Sequence, residues 1–302
     1  MQKVVSVTVA YKPNPDLLIR QLLALSSQVD VMIVVDNGGE NSSDWHGRAA
    51  MEAGAHIISL STNAGIAAAQ NAGIRFGLDV GATHVLLMDH DSVPSPGMVK
   101  ALLAAELKFQ AAGIDVAVIG PVSVDRRTGT LSVFNRLQGL RVVRLQCLAA
   151  TDDPIEADFL IASGSLIPAA AFKVVGLMNE GFFIDHVDTE WCLRARSKGL
   201  RIFGICGARL EHHLGDSVVR VWLGRWREVS VHSPQRNYYL FRNTILMLRF
   251  TPMPWIWRMS HACRLLQYVV FSALALQPRW KRIGLMSKGA WHGLIGRTGP
   301  AP

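Results

Sequence analysis

Short runs of β-branched residues alternate with helical stretches through the first two thirds of the chain, and that rhythm restricts it to βαβ units around a mostly parallel sheet. Val4 to Ala10 reads as a first strand; Pro13 and Pro15 then break the chain before an apolar-periodic helix over Asp16 to Ser27. A second strand, Val31 to Val35, runs into the turn sequence Asp36-Asn37-Gly38-Gly39. A helix is expected around Trp45 to Ala53, a strand at His56 to Leu60, a helix from Ile66 to Leu78 and a fourth strand at His84 to Met88. Residues 98 to 112 read as a helix and Val116 to Ile119 as a strand, whereas 121 to 157 is polar and turn-rich. Ligands of open α/β sheets bind beyond the carboxyl ends of the strands. Asp36, Asn63 and Asp89 all fall there.

The charge divides the chain. Residues 1 to 216 hold 18 Lys and Arg against 22 Asp and Glu, whereas 217 to 302 hold 13 basic residues and the single acid Glu228. Six of the eight tryptophans, Trp222, Trp226, Trp255, Trp257, Trp280 and Trp291, also lie in that second part. Long helical stretches are expected past Ser217, including Tyr238 to Leu248 and Trp255 to Leu276. The apolar run from Leu265 to Leu276 is 12 residues long, against the roughly 20 that a membrane span needs. An interfacial or core helix is therefore expected, and basic residues interleaved with Trp suit an anionic membrane surface. A homo-oligomer contact is the alternative for the apolar face, and nothing before residue 217 supports nucleic-acid binding.

Cys147, Cys192, Cys206 and Cys263 are widely spaced and form no CxxC pair. No disulfide framework is expected, and a reducing cytoplasm fits. The first residues, Met1 to Tyr11, are too short an apolar run for a signal peptide.

Asp89-His90-Asp91 leaves the fourth strand on a loop, and two hard carboxylates at i and i+2 can share a divalent cation that neutralises a diphosphate. Asn63-Ala64-Gly65, followed by Gln70-Asn71-Ala72-Gly73, suits either a helix cap or close backbone approach to phosphate. Asp36 serves equally as a turn residue or as an acceptor from a nucleotide's ribose or base. The stretch Gly181-Phe182-Phe183-Ile184-Asp185-His186-Val187-Asp188-Thr189-Glu190-Trp191-Cys192-Leu193-Arg194 reads as an apolar approach to a helix ending at Gly199. Asp185 could cap that helix, with Asp188 and Glu190 in its first turn; alternatively one of these carboxylates is a general base. After a strand at Ile202 to Ile205, Glu211-His212-His213-Leu214-Gly215-Asp216 offers an imidazole for a metal. No GxGxxG follows the first strand, which argues against a dinucleotide-binding dehydrogenase.

Taken in order, VTVAY, VVDNGG, NAGIAAAQNAG, LLMDHDSVP, FLIASGSLI, GFFIDHVDTEWCLRARSKG and HHLGD resemble the family 2 glycosyltransferases of the GT-A, Rossmann-like fold, over about residues 3 to 216. That resemblance implies a GT-A catalytic domain over 1–216 and a basic helical segment over 217–302. It implies that Tyr11 and Asp36 line the nucleotide pocket, that Asn63 and Gly65 border it, and that Asp89 meets the donor near its ribose and metal. Asp91 would be the principal ligand of Mn2+ or Mg2+, with His212 as a further ligand of metal or diphosphate. Ser163, Gly164 and Ser165 would lie beside sugar and acceptor, Asp188 would be the base of an inverting transfer, and Glu190 would join the substrate site. Val187 departs from the family pattern, in which an acid often precedes the base. The Ile-Asp-x-Val-Asp-Thr-Glu-Trp-Cys-Leu-Arg version looks most like rhamnosyltransferases of bacterial surface polysaccharides, which implies dTDP-L-rhamnose as donor and a lipid-linked glycan acceptor at the inner membrane face. A UDP-galactofuranose or other UDP-sugar transferase is the nearest rival, and a non-enzymatic membrane-surface module the remote one.

Overall fold

The computed structural model describes residues 2–39, 45–125, 129–147, 153–212, 217–222, 226–231 and 233–302, and for 212 to 230 the backbone alone. Strands β1 (Val4–Ala10), β2 (Val31–Asp36), β3 (His56–Ser59) and β4 (His84–Asp89) pair in parallel in the order β3-β2-β1-β4. Helices α1 (Pro15–Ser26), α2 (His46–Ala53) and α3 (Ile66–Asp79) make the crossovers. The start of α1 follows from its sequence: the Asn14 side chain accepts from the backbone N–H groups of Asp16 and Leu17, and Pro15 supplies a preset φ. Because β2 and β4 flank β1 on opposite sides, the order reverses at β1, and the crevice this leaves opens between the carboxyl ends of β1 and β4.

Beyond β4 come β5 (Val93–Pro94), α4 (Met98–Ala111) and β6 (Val116–Asp125). The stretch expected to be turn-rich holds a hairpin, β7 (Phe134–Gln138) and β8 (Arg141–Leu145), and a short β9 (Ile155–Glu156). Then follow β10 (Leu166–Pro168), α5 (Ala169–Val175), α6 (Val187–Ser197) and β11 (Arg201–His212). These complete a nine-stranded sheet in which β10 runs antiparallel between β4 and β6, and β11 lies parallel to β6. Alternate residues of each strand enter opposite cores, as strand periodicity requires. Val5, Val7, Ile33, Val85 and Leu87 pack with Ile74 and Trp191 on one face, while Val34 and Leu86 pack with Leu18, Leu22 and Leu102 on the other.

The C-terminal part corrects one expectation. Helix does not begin at Ser217: β12 (Ser217–Trp222) and β13 (Trp226–Val231) form an antiparallel hairpin first, carrying Trp222 and Trp226. Alternating Val, Arg and Trp favour a pleated strand over a helix in this stretch. Three helices follow, α7 (Pro234–Phe250), α8 (Trp255–Ala275) and α9 (Arg279–Leu294). Helices α7 and α9 approach so closely that a Cβ on Gly289 would lie 2.3 Å from the Tyr238 carbonyl oxygen. Among the described residues, no helix is long and apolar enough to cross a membrane.

A second correction concerns cysteine. Cys147 and Cys206 are joined by a disulfide, their Cα atoms 5.5 Å apart, tying the chain after β8 to the middle of β11. A pair 59 residues apart is invisible to spacing rules and becomes apparent only when the hairpin folds back on the sheet. Cys192 and Cys263 remain thiols.

Candidate active site

The loop after β4 is held from three directions. The backbone N–H of Asp89 donates to the Ser163 hydroxyl at 3.2 Å, the Gln21 amide donates to the Asp89 carbonyl, and Ser92 N–H returns to that carbonyl at 3.3 Å. Asp91 is half-buried and makes no hydrogen bond or ion pair with any described residue. Directly afterwards β5 pairs with the end of β11, Val93 opposite Glu211, so the backbone of His212 arrives beside this loop. The His212 side chain, and His213 altogether, lie outside the described residues. Tyr11, at the end of β1, is 43% exposed with the Lys12 ammonium 5.6 Å from its ring centre.

At the end of β2, Asp36 is 1% exposed. One of its oxygens accepts from Gly38 N–H at 2.8 Å and the other meets His46 Nε2 at 2.7 Å. Asn37 reaches across to the next strand end: its amide donates to Asn63 Oδ1 at 3.1 Å and its carbonyl accepts from Ala64 N–H at 2.9 Å. Asn63 Oδ1 also accepts from Gly65 N–H at 3.0 Å. Gly65 has φ of +87°, and a Cβ there would stand 2.6 Å from the Phe183 carbonyl oxygen, so only glycine fits. Ile66 N–H donates to that same carbonyl at 2.7 Å, joining the start of α3 to the loop before α6. Asn71 adds a second tie, donating to Met178 O at 2.9 Å and to Glu180 Oε1 at 2.8 Å.

The loop Ser163-Gly164-Ser165 is buried against β4, with Gly164 N–H donating to Leu87 O at 2.8 Å. From it the site extends to Asp188. Ala162 N–H donates to Asp188 Oδ2 at 3.2 Å, and Thr189 N–H donates to Oδ1 at 2.7 Å. Burial pushes the Asp188 carboxyl above its ordinary value; these hydrogen bonds oppose the rise and the charge of Asp185 adds to it. Asp89, Ser163, Ala162 and Asp188 thus form one connected run of contacts from the acidic loop to the expected base.

The two acids that flank Asp188 are both engaged by arginines. His186, in a left-handed conformation, occupies the N-cap position without a side-chain cap, and Asp185 instead pairs with Arg236 at 2.6 Å. Asp185 stands one residue before the N-cap position, and its carboxylate is held by Arg236 instead of by the first N–H groups of the helix. Glu190 is buried and spends both oxygens on Arg194, at 2.9 and 3.0 Å, while Arg194 also holds the carbonyls of Val175 and Leu177. Through Arg194 its carboxylate is linked to the turn after α5. Burial raises the Cys192 thiol to about 12, which keeps it protonated at neutral pH.

Sequence reasoning missed the residues that hold the loop before α6. Phe183, Asp185 and His186 all have positive φ, a costly set of conformations for side-chain-bearing residues. Asn243 of α7 donates to the carbonyls of Phe182, Ile184 and Asp185 at 2.8, 2.6 and 3.0 Å. Arg242, fully buried between the rings of Tyr238 and Tyr239, donates to Phe182 O at 3.0 Å and to Gly299 O. Gly299 N–H donates in turn to Gly181 O at 2.9 Å, and Ala301 N–H to the Tyr239 hydroxyl at 2.8 Å. The available signal was polar residues at core positions of amphipathic helices: Gln21 beside Leu18, Leu22 and Leu25, and Arg242-Asn243 between Tyr238 and Leu246.

Among the described residues no three His, Cys, Asp or Glu side chains converge as a ready metal cage. Asp89 and the unengaged Asp91 nevertheless fit Mn2+ or Mg2+, hard cations that take a few carboxylate oxygens and complete their shell with water and phosphate.

Comparison with known proteins agrees with this arrangement. The sequence pattern described as glycosyl transferase family 2 matches residues 6–153. The chain is 32% identical over 253 residues to "dTDP-rhamnosyl transferase RfbF" of Shigella flexneri, covering 82% of this chain and 81% of that one. Among solved structures, GalNAc-T7 with UDP, GalNAc and Mn2+ superposes with a TM-score of 0.60 at 10% identity, over 98% of this chain and 56% of that one. TarS residues 1–349 of S. aureus in complex with UDP-GlcNAc superposes with a TM-score of 0.55 at 13% identity, over 98% and 93% of the two chains. These two structures share the fold. Together with the reversal of strand order at β1 and the acidic loop after β4, the relationships establish that the chain is a glycosyltransferase and belongs to glycosyl transferase family 2.

Proposed function

We propose that the chain transfers L-rhamnose from dTDP-L-rhamnose, with inversion, to a hydroxyl of a lipid-linked glycan. The observation that carries this reading is the run of contacts Asp89–Ser163–Ala162–Asp188, which fixes a half-buried carboxylate at a set position relative to the acidic donor loop. The relationship to the Shigella rhamnosyl transferase supports the sugar and nucleotide.

Tyr11 and Asp36 flank the nucleotide, with Asp36 oriented by His46, and Asn63 and Gly65 border the pocket. Asp89 and Asp91, with His212, would hold a divalent cation, which when bound would offset the charge of the diphosphate. Ser163, Gly164 and Ser165 shape the floor beneath the sugar. Asp188 takes the proton of the acceptor hydroxyl as its oxygen attacks the anomeric carbon. The bond from that carbon to the diphosphate oxygen breaks, its electron pair leaving with dTDP, and the configuration inverts in this single displacement. Burial favours such a base, because a carboxylate with a raised pKa accepts a proton more readily at neutral pH.

The test is a panel of sugar nucleotides offered to purified protein with Mn2+ or Mg2+, followed by nucleotide release. Release of dTDP from dTDP-L-rhamnose above every UDP-sugar is expected. Preference for a UDP-sugar would sink the assignment of the donor.

A further inference from the structure

A cavity of about 380 Å3 lies between the loop that precedes Asp188 and the C-terminal helices. Asp185 and His186 form one wall, and α7, α8 and the start of α9 form the others. Its lining holds three guanidinium groups, Arg236, Arg264 and Arg282, against one carboxylate, Asp185. Asp185 is already paired with Arg236 at 2.6 Å. Arg282 is steered by Asn237 Oδ1 at 2.8 Å and Gln277 O at 3.1 Å. Arg264 has no hydrogen-bond or ion-pair partner among the described residues, and its charge reaches His186 and His261. Both imidazoles are held neutral by burial, each with its pKa lowered to about 4, so neither adds to the positive charge at neutral pH. The cavity therefore carries excess cationic charge.

The rest of the lining is apolar and aromatic. Tyr268 and Phe271 follow Arg264 at i+4 and i+7, on one face of α8, and Leu240 and Leu276 close the sides. About a quarter-turn or more round α8 from that face lies an exposed apolar stripe at four-residue intervals: Leu266, Val270 and Leu274, at 66, 50 and 73% exposure, with Leu274 nearest the cavity-lining Gln267. Guanidinium groups and aromatic rings lining one cavity, with exposed apolar residues on the flank of the same helix, suit an amphiphile with a phosphate head.

We propose that this cavity binds the phosphate-bearing head of a lipid-linked acceptor, with Arg264 as its principal contact and the α8 stripe as the track for its apolar chain. This rests on the acceptor reading above, since the shared Asp185-His186 loop is what sets the cavity beside Asp188.

Calorimetry of the full chain with geranyl phosphate, inorganic phosphate and geraniol tests it. Geranyl phosphate is expected to bind more tightly than either fragment, with an affinity unchanged by saturating dTDP. Arg264→Ala is expected to weaken it at least tenfold, Arg264→Glu to abolish it, and Arg264→Lys to restore part of it; Arg264 is exposed, so folding should survive and circular dichroism checks this. Absence of binding, equal binding of geraniol, competition by dTDP or indifference to Arg264→Ala would each overturn the proposal. Asp188→Asn is expected to leave geranyl phosphate binding intact. A protein that binds geranyl phosphate in this way yet releases no dTDP from dTDP-L-rhamnose retains the cavity assignment and loses the donor assignment.

Discussion

The side-chain amide of Asn243 lies 3.0 Å from the carbonyl oxygen of Asp185, and through it α7 grips the loop that delivers Asp188. The same amide also lies within hydrogen-bond distance of the carbonyls of Phe182 and Ile184, so its two N–H groups are shared among three acceptors, with Arg242 also serving Phe182, in a segment whose backbone is held at positive φ. Asn243→Ala leaves buried acceptors without a donor, a loss of about 1–3 kcal/mol. Chemical denaturation should show that loss, and kcat should fall while dTDP affinity holds. An unchanged kcat would mean that the loop keeps its shape without α7.

Asp188→Asn is expected to reduce transfer by about 10²–10⁴-fold, the usual contribution of a positioned base, with nucleotide affinity retained. In the wild type the rate should climb as pH rises through the raised carboxyl pKa, because the deprotonated form does the work. Stability should run the opposite way. A carboxyl whose folded pKa lies above its unfolded value of 3.8 stabilises the fold below that value and loses this contribution as pH rises through the folded pKa. Thermal melts of wild type and variant across pH 4 to 8 should differ in slope, with the variant flatter.

His186 and His261 titrate in the acid range, with both folded values near 4 against 6.5 unfolded. Their neutral forms stabilise the protein above 6.5, and this is lost as pH falls towards 4, on the order of 3 kcal/mol for a fully buried ring. His186→Asn keeps a side chain that tolerates left-handed backbone. It should flatten the decline in melting temperature over that interval, and an unaltered decline would reassign the acid sensitivity to other groups.

Asp91→Asn removes the unengaged carboxylate beside the donor loop. Activity restored by Mn2+ or Mg2+ after chelation should vanish or require far more metal in the variant, measured as metal-dependent dTDP release. An Asp91→Asn protein with an unaltered metal requirement would displace the cation from this loop.

Reduction of Cys147–Cys206 frees a loop of 59 residues, and the chain-entropy account puts the loss near 4 kcal/mol. The melting temperature should fall on adding a reductant, and Cys147→Ser should melt at the reduced value with or without it.

The first four strands were legible because their short apolar runs alternate with helical stretches and are bounded by Pro, Gly and Asn. The hairpin β7–β8 was not, since Phe134–Gln138 and Arg141–Leu145 mix polar and apolar residues, and what anchors it, the Phe134 ring against Gly204 of β11, is a contact across 70 residues of chain. At the site, Asp89, Ser163 and Asp188 could be singled out in advance and are joined by hydrogen bonds. His46, Gln21 and Asn243 could not be. Their significance depends on distances across 10 to 68 residues of chain that local pattern does not encode, as in His46 to Asp36 and Gln21 to Asp89.

The last residues of the chain are masonry for a loop almost 120 positions upstream. Gly299 is bonded to Gly181 and to Arg242, and Ala301 caps the Tyr239 hydroxyl. A proteolytic nick at Gly296 would spare every strand of the central sheet and still loosen the segment that carries Asp185. Preparations cut there would then melt as folded protein while failing as enzyme.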